Sequence, residues 1–210
     1  MSSSFTGIPT AALDFYEDLE NDNSKTFWTA HKHIYDESVR APIEALTAAL
    51  AEEFGPGKFF RPYRDVRFSA DKTPYKTHQG VWFDESKTYL HISAAGLFVA
   101  AGYWRTSPAQ VGRLRRAVDA DLPGEALAKT IAAVRKKGFE IAGEQLSRVP
   151  SGFAKDHVRA DLLRHKTLTA HREVGCPAWL SGARAKTEIA KMWRSFEPLT
   201  SWLDKHVGPD

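Results

Sequence analysis

The sequence predicts an α+β fold in a single domain, with a central, mainly antiparallel sheet flanked by N-terminal and C-terminal helices. Three observations lead there. Apolar residues recur at helical spacing before Gly55 and again after Ser107, a run rich in β-branched and aromatic residues fills 81–103, and no repeat or low-complexity linker divides the chain. A chain of 210 residues is long enough for a full core, and 42% apolar with 26% charged residues is ordinary for a globular protein.

The domain is expected over residues 5–207, with residues 1–4 as a loose tail. From Pro9, "PTAALDFYEDLE" places Leu13, Phe15 or Tyr16, and Leu19 at helical spacing. "NDNSK" breaks that helix, and Ser24 can cap a second one carrying Phe27, Ile34, Val39, Ile43, Leu46, Leu50 and Phe54. Pro42 falls inside it, which predicts a kink or two consecutive helices, and "GPG" at 55–57 stops the run. Strands are expected at Val81–Asp84, Thr88–Ser93 and Leu97–Tyr103, joined by the hairpin-length "DESK" and "AAG". "SPAQ" at 107–110 then reads as a capping box, with Ser107 as cap, Pro108 in the first turn and Gln110 as the reciprocal partner. Val111, Leu114 and Val118 should face inward. A further helix near Pro123 buries Leu127, Ile131 and Val134 and closes at "RKKG" through Gly138. A short helix and one more strand, "TLTAHREV", follow. The C-terminal segment is helical, with Ile189, Met192, Trp193 and Phe196 on one face and Pro198 marking a break.

The net charge of +3 is concentrated. "RPYRDVRFSADKTPYKTH" (61–78) holds Arg61, Arg64, Arg67, Lys72 and Lys76 against Asp65 and Asp71, and the remaining 24 basic and 24 acidic residues cancel. A local excess points to an anionic partner at that place and away from a wholly basic nucleic-acid coat. If Arg61–Ser69 is extended, Val66 and Phe68 face the core while Asp65, Arg67 and Ser69 project the other way. Asp71 can fold back on backbone amides, and Pro74 stiffens the chain before Tyr75, so that Lys72 and Lys76 sit on a rigid loop. Surface pairing of these arginines and aspartates with one another is the competing reading.

A second charged stretch, 155–172, sets Lys155, Arg159, Arg164, Lys166 and Arg172 among His157, His165 and His171. On a helix His157, Asp161 and His165 share a face, but the outer two would lie about 12 Å apart, too far for one metal ion. Asp161 orienting an imidazole fits better, either for structure or for acid–base work. No metal and no cofactor are expected. There is no phosphate-binding glycine loop, dinucleotide fingerprint or nucleophile elbow. The single cysteine, Cys176, rules out an internal disulfide. The N-terminus lacks the basic start and apolar run of a secretory signal, no window is long enough to span a membrane, and a cytoplasmic setting is expected. Most of the six tryptophans read as core, with Trp28 and Trp104 as exceptions beside polar, turn-like sequence.

"NDNSKTFWTAHKHIYDESVRAPIEAL", "RPYRDVRFSADKTPYKTH", "GLFVAAGYW" and "PSGFAKDHVRADLLRHKTL" occur in that order. Together they resemble the bacterial and fungal family catalogued as domain of unknown function 2461, from about Ala11 to Val207. The resemblance implies no particular reaction. It does imply that Asn23, Trp28, Arg64, Asp65, Arg67, Ser69, Asp71, Lys72, Pro74, Tyr75, Lys76, Gly102, His157, Asp161 and Lys166 occupy the family's motif positions. Two departures are a missing proline near Ala94 and a serine, Ser151, where the family tends to have arginine.

Three functions compete. In the first, a basic pocket binds a phosphate- or carboxylate-bearing small molecule through Arg64, Arg67, Ser69, Lys72, Tyr75 and Lys76, with Asn23, Trp28 and Lys166. Acid–base chemistry of a hydrolase type would then fall to His157, Asp161, Asp65 or Asp71. In the second, the same surface binds nucleic acid, with Trp28, Tyr63, Tyr75 or Trp104 stacking on bases. In the third, the domain is a scaffold. The first ranks highest because the excess charge is local.

Overall fold

The structure, a computed structural model, describes residues 4–209. The expected tail at 1–4 lies, for residues 1–3, outside the described residues. The sheet has six strands in the order β1-β2-β3-β4-β6-β5: β1 (Gly57–Phe59), β2 (His78–Phe83), β3 (Thr88–Ser93), β4 (Gly96–Tyr103), β5 (Glu140–Ala142) and β6 (Leu168–Gly175). It is antiparallel, and the α+β class is as the sequence predicts. By backbone contacts the chain forms two compact units. One comprises the residues up to Val99 together with Glu173–Met192; the other comprises Ala100–Arg172 together with the residues from Trp193 onward.

In the first unit, helix α1 (Thr10–Asn21) buries Ala12, Phe15, Tyr16 and Leu19. Helix α2 (Lys25–Ile34) starts at Ser24, whose Oγ accepts the Phe27 N–H at 3.1 Å, as expected of that cap. The interruption expected at Pro42 takes a specific form. A π-helical turn, Tyr35–Arg40, separates α2 from α3 (Ala41–Phe54), and the Ala41 N–H reaches back five residues to the Asp36 carbonyl. Pro42 has no N–H for a regular ladder, and the wider turn lets it sit in the first turn of α3, where that loss is tolerated. Gly55, at φ 82°, ends α3.

The β2–β3 register places Gln79, Val81 and Phe83 opposite Ile92, Leu90 and Thr88. All six are buried, and the alternation along β3 is complete. The opposite face carries His78, Tyr89, His91 and Phe98, with His91 stacked on Phe98 at 4.7 Å. Strand β1 was not anticipated. Nor is Arg61–Ser69 a strand: Val66 is half-buried and Phe68 is 96% exposed instead of facing the core. The segment's ends pair with each other, through Arg64 N–H to the Pro74 carbonyl (2.9 Å) and Lys76 N–H to the Pro62 carbonyl (2.7 Å). Residues between them therefore form a closed loop with no neighbouring strand to pack against.

In the second unit, α4 (Pro108–Asp119) opens with the full capping box of Ser107 and Gln110 and buries Leu114 and Val118, with Val111 half-buried. Helix α5 (Asp121–Lys136) buries Leu127, Ile131 and Val134, and Phe139 packs on Phe196 at 4.5 Å. Helix α6 (Ala160–Leu163) is one turn long, and His157 precedes it, so the expected helical face of His157, Asp161 and His165 does not form. The segment before it turns through local bonds, such as His157 N–H to the Ala154 carbonyl at 3.2 Å. Helix α7 (Arg184–His206) runs through Pro198, where a break was expected. Burial of Phe196, Leu199, Trp202 and Leu203 on either side of the proline outweighs the one missing hydrogen bond.

Candidate functional site

The loop 61–77 is tied down at one place. Tyr63 and Tyr75 form an isolated antiparallel bridge. Asn23, from the connection between α1 and α2, grips the Tyr75 main chain: its Oδ1 accepts the Tyr75 N–H (3.0 Å) and its Nδ2 donates to the Tyr75 carbonyl (3.1 Å). The buried Tyr75 ring stacks on the buried Trp28 indole, 4.3 Å away and nearly parallel. A side chain that copies a strand partner and an aromatic stack thus make this loop a fixed element.

The acids of the loop go to two of its arginines. Asp65 holds the Arg67 guanidinium bidentately (Nε 2.9 Å, Nη2 2.7 Å), and Asp71 pairs with Arg64 while also accepting the Thr73 N–H (2.9 Å) and hydroxyl (2.8 Å). The Arg67 hydrogen bonds hold the Asp65 carboxyl below the usual carboxylate range, and the Thr73 N–H and hydroxyl do the same for Asp71. Ser69 closes a turn on the Val66 carbonyl (3.4 Å), to which the Lys72 ammonium also donates (3.0 Å).

Three cations of the loop form no ion pair among the described residues, Arg61, Lys72 and Lys76, although the Arg61 charge helps to lower the Asp65 carboxyl. Lys76 Nζ donates to the Arg61 carbonyl (2.9 Å) and lies 5.4 Å from the Phe60 ring centre. Burial, and then the Arg61 charge, lowers the Lys76 pKa. His78 is lowered by burial, then by Lys76 and Arg64, and His91 is pushed down to about 3 by burial and then by His78. One end of the sheet face is thus a cluster of mutually repelling cations and neutral imidazoles.

Beside it lies a cavity of about 310 Å³, bounded by Trp28, Tyr35, Asp36, Phe60, Arg61 and Tyr63 among others. Tyr35 is set by its hydroxyl, which donates to the buried Gln79 Oε1 (2.7 Å), while Gln79 Nε2 donates to the Phe60 carbonyl (2.8 Å). Burial pushes the Tyr35 phenol up to about 12, so it remains a donor. Lys32 pairs with Asp36 Oδ2 and Arg40 with Glu44, all four on the cavity wall. Two buried polar atoms of the wall residues, Trp28 Nε1 and Asp36 Oδ1, have no partner among the described residues. Of these wall residues Trp28 is among the site residues expected from the sequence, whereas Arg61, Tyr35 and Asp36 are not. The proline-interrupted helix was the signal available for the last two.

The second charged stretch belongs to the second unit and is described by itself. His157 Nδ1 accepts the Arg159 N–H (2.9 Å), and its Nε2 lies 3.5 Å from Asp119. Asp161 pairs with Arg164 (3.0 Å) and does not hold His157, as the four-residue spacing had suggested. His165 is buried between Gln145 (2.8 Å) and the Thr167 carbonyl (2.9 Å), and burial lowers its pKa. Lys166 pairs with Glu144 and lines a groove of about 730 Å³ with Trp104, Arg105 and Arg115. Trp104 is 46% exposed, with the Arg105 guanidinium 4.2 Å over its ring. Among the described residues no three His, Cys, Asp or Glu side chains are gathered as a metal site.

No curated protein and no solved structure matches the chain. The family described as conserved hypothetical protein (DUF2461) matches residues 11–202, which includes the clamp, the basic loop, the cavity wall and the second charged stretch. The chain belongs to the DUF2461 family.

Proposed function

We propose that this protein binds a small molecule bearing a phosphate or carboxylate at the cavity beside the basic loop, with Arg61, Lys76 and Lys72 meeting the anion. The observation that carries the reading is the Arg61–Lys76 pair. The Lys76 ammonium is held on the Arg61 carbonyl of a fixed loop, its pKa lowered by burial and then by the Arg61 charge, and neither cation forms an ion pair among the described residues. An anion relieves that repulsion, and guanidinium and ammonium groups both suit phosphate and carboxylate. Arg64 and Arg67 contribute field and loop shape, since Asp71 and Asp65 already occupy them. Those two carboxylates, held ionised by their donors, serve the loop's conformation better than proton transfer. Among the described residues no helix is long and apolar enough to cross a membrane, and an exposed free thiol, Cys176, suits a reducing cytoplasmic setting.

Phosphate should raise the melting temperature beyond a chloride control of equal ionic strength, and Arg61→Ala should remove the difference. Equal shifts in the two salts would sink this reading. One observation favours a second reading, a single-stranded nucleic acid. Tyr63 is 48% and Phe68 96% exposed, and the Arg67 guanidinium lies 5.9 Å from the Phe68 ring. That reading requires binding that weakens with a slope of about −0.7 per neutralised phosphate against log salt. Absence of binding to single-stranded DNA and RNA at low salt removes it.

A further inference from the structure

We propose that the ligand is a hydroxylated anion, a polyol or sugar phosphate or a hydroxycarboxylate, with at least one hydroxyl inside the cavity and its anionic group at the basic edge. This rests on the anion-binding reading above.

Two polar atoms of residues that line the cavity carry the inference. Trp28 Nε1 and Asp36 Oδ1 are both buried and unpartnered, and both residues bound the same cavity. A buried polar atom left unpaired costs about 1–3 kcal/mol, and native folds keep few of them. The indole nitrogen can only donate. The carboxylate oxygen, with Oδ2 paired to Lys32, can only accept. A hydroxyl can accept from an indole N–H and donate to a carboxylate, so a hydroxylated ligand carries partners for both. An ionised carboxylate cannot donate to Asp36, and an alkyl chain can do neither.

Two further features agree. Asp36 and Tyr35 belong to the π-helical turn, a rare element that is frequent at functional sites, and here it forms part of the wall. The rest of the lining divides as such a ligand would need. Aromatic side chains of Tyr35, Phe60 and Tyr63 can cover the C–H faces of a polyol, while Arg61 marks the anionic end. A cavity of about 310 Å³ is at the small end of the range for ligand pockets, which suits a metabolite-sized molecule.

The test is calorimetric titration of the full chain with matched probes at equal ionic strength. The pairs are sorbitol 6-phosphate against n-hexyl phosphate, and gluconate against hexanoate, with inorganic phosphate alongside. In the pair whose anionic group the site accepts, the hydroxylated member should bind at least about tenfold more tightly. Trp28→Phe, which keeps an aromatic ring but loses the N–H, should bring that ratio close to one. Asp36→Ala, on the helix surface, should do the same and carries the test if the tryptophan variant fails to fold. Equal affinity within each pair would overturn the hydroxyl inference and leave anion binding standing. No binding of any probe would overturn both.

Discussion

Asn23 holds the Tyr75 peptide from both sides, accepting its N–H at 3.0 Å and donating to its carbonyl at 3.1 Å across 52 residues of sequence. The same Tyr75 stacks on Trp28, so one residue's backbone and ring fix the basic loop to the helical layer of its unit. Asn23→Ala removes both bonds and leaves two main-chain groups unpaired in a part-buried position. Two such losses should destabilise by about 2 kcal/mol or more. Trypsin should then cut the loop at Arg64 or Arg67 faster than in the parent. Asn23→Asp, which retains only the acceptor, should fall between. An alanine variant with parental stability and parental cleavage would show that the clamp does not hold the loop.

Much of this fold is readable from local chemistry, and the readable parts share a cause. Ser24 and the Ser107–Gln110 box act on backbone groups within one turn, so a short window of sequence contains the whole interaction. The alternation of Thr88–Ser93 is equally local. The three-residue strands β1 and β5 were not readable, because only pairing with distant strands makes them strands. The site divides in the same way. Composition located the excess charge in 61–78, but which cation is left over is a tertiary matter. Asp71 reaches back to Arg64 and Asp65 forward to Arg67, and the one loop arginine outside an ion pair, Arg61, is the one absent from the expected site. His157 and Asp161 failed for a related reason, since a four-residue spacing places side chains together only where a helix forms.

The division of labour among the loop cations can be separated by substitution. Arg61→Ala and Lys76→Ala should each weaken phosphate binding about tenfold, because each removes a cation that lies outside the loop's ion pairs. Stability should change little for Arg61→Ala, whose side chain is exposed. Arg67→Ala should weaken binding by less than about threefold, since Asp65 already neutralises that guanidinium. Titrations that rank Arg67 above Arg61 would reverse the assignment.

Gly112 lies in the middle of α4 and lines the groove beside Trp104 and Lys166. A Cβ there would meet only the Arg116 guanidinium, at 3.4 Å, the movable end of a flexible side chain. Nothing in the packing requires glycine, and glycine inside a helix costs about 0.5–1 kcal/mol relative to alanine. Gly112→Ala should therefore stabilise the protein by roughly that amount, read from the denaturant midpoint at unchanged slope. Destabilisation would mean that the backbone of α4 is constrained by a contact other than Arg116.

Acid should weaken this protein well before its carboxylates protonate. His91 is half-buried on the sheet face between the Phe98 ring and His78, whose ring centre is 4.7 Å away, with Tyr89 at 5.6 Å. Burial, and then the neighbouring His78, pushes its pKa down to about 3, and His78 itself is lowered by burial and by Lys76 and Arg64. Below about pH 6.5 an unfolded chain takes up these protons, whereas the folded chain resists the one at His91 until about pH 3. The unfolded state binds more protons throughout that window, so stability is complete above it and declines as pH falls through it. The slope can reach about 1.4 kcal/mol per pH unit for each such histidine. Asp65 and Asp71, also depressed, act in the same direction but only below about pH 4. Denaturant midpoints at pH 7, 6, 5 and 4 should therefore fall steadily from about 6 downward. His91→Phe, which keeps the stack on Phe98 and cannot titrate, should flatten that decline. A variant as acid-sensitive as the parent would mean that His91 is already accessible to protons in the folded state.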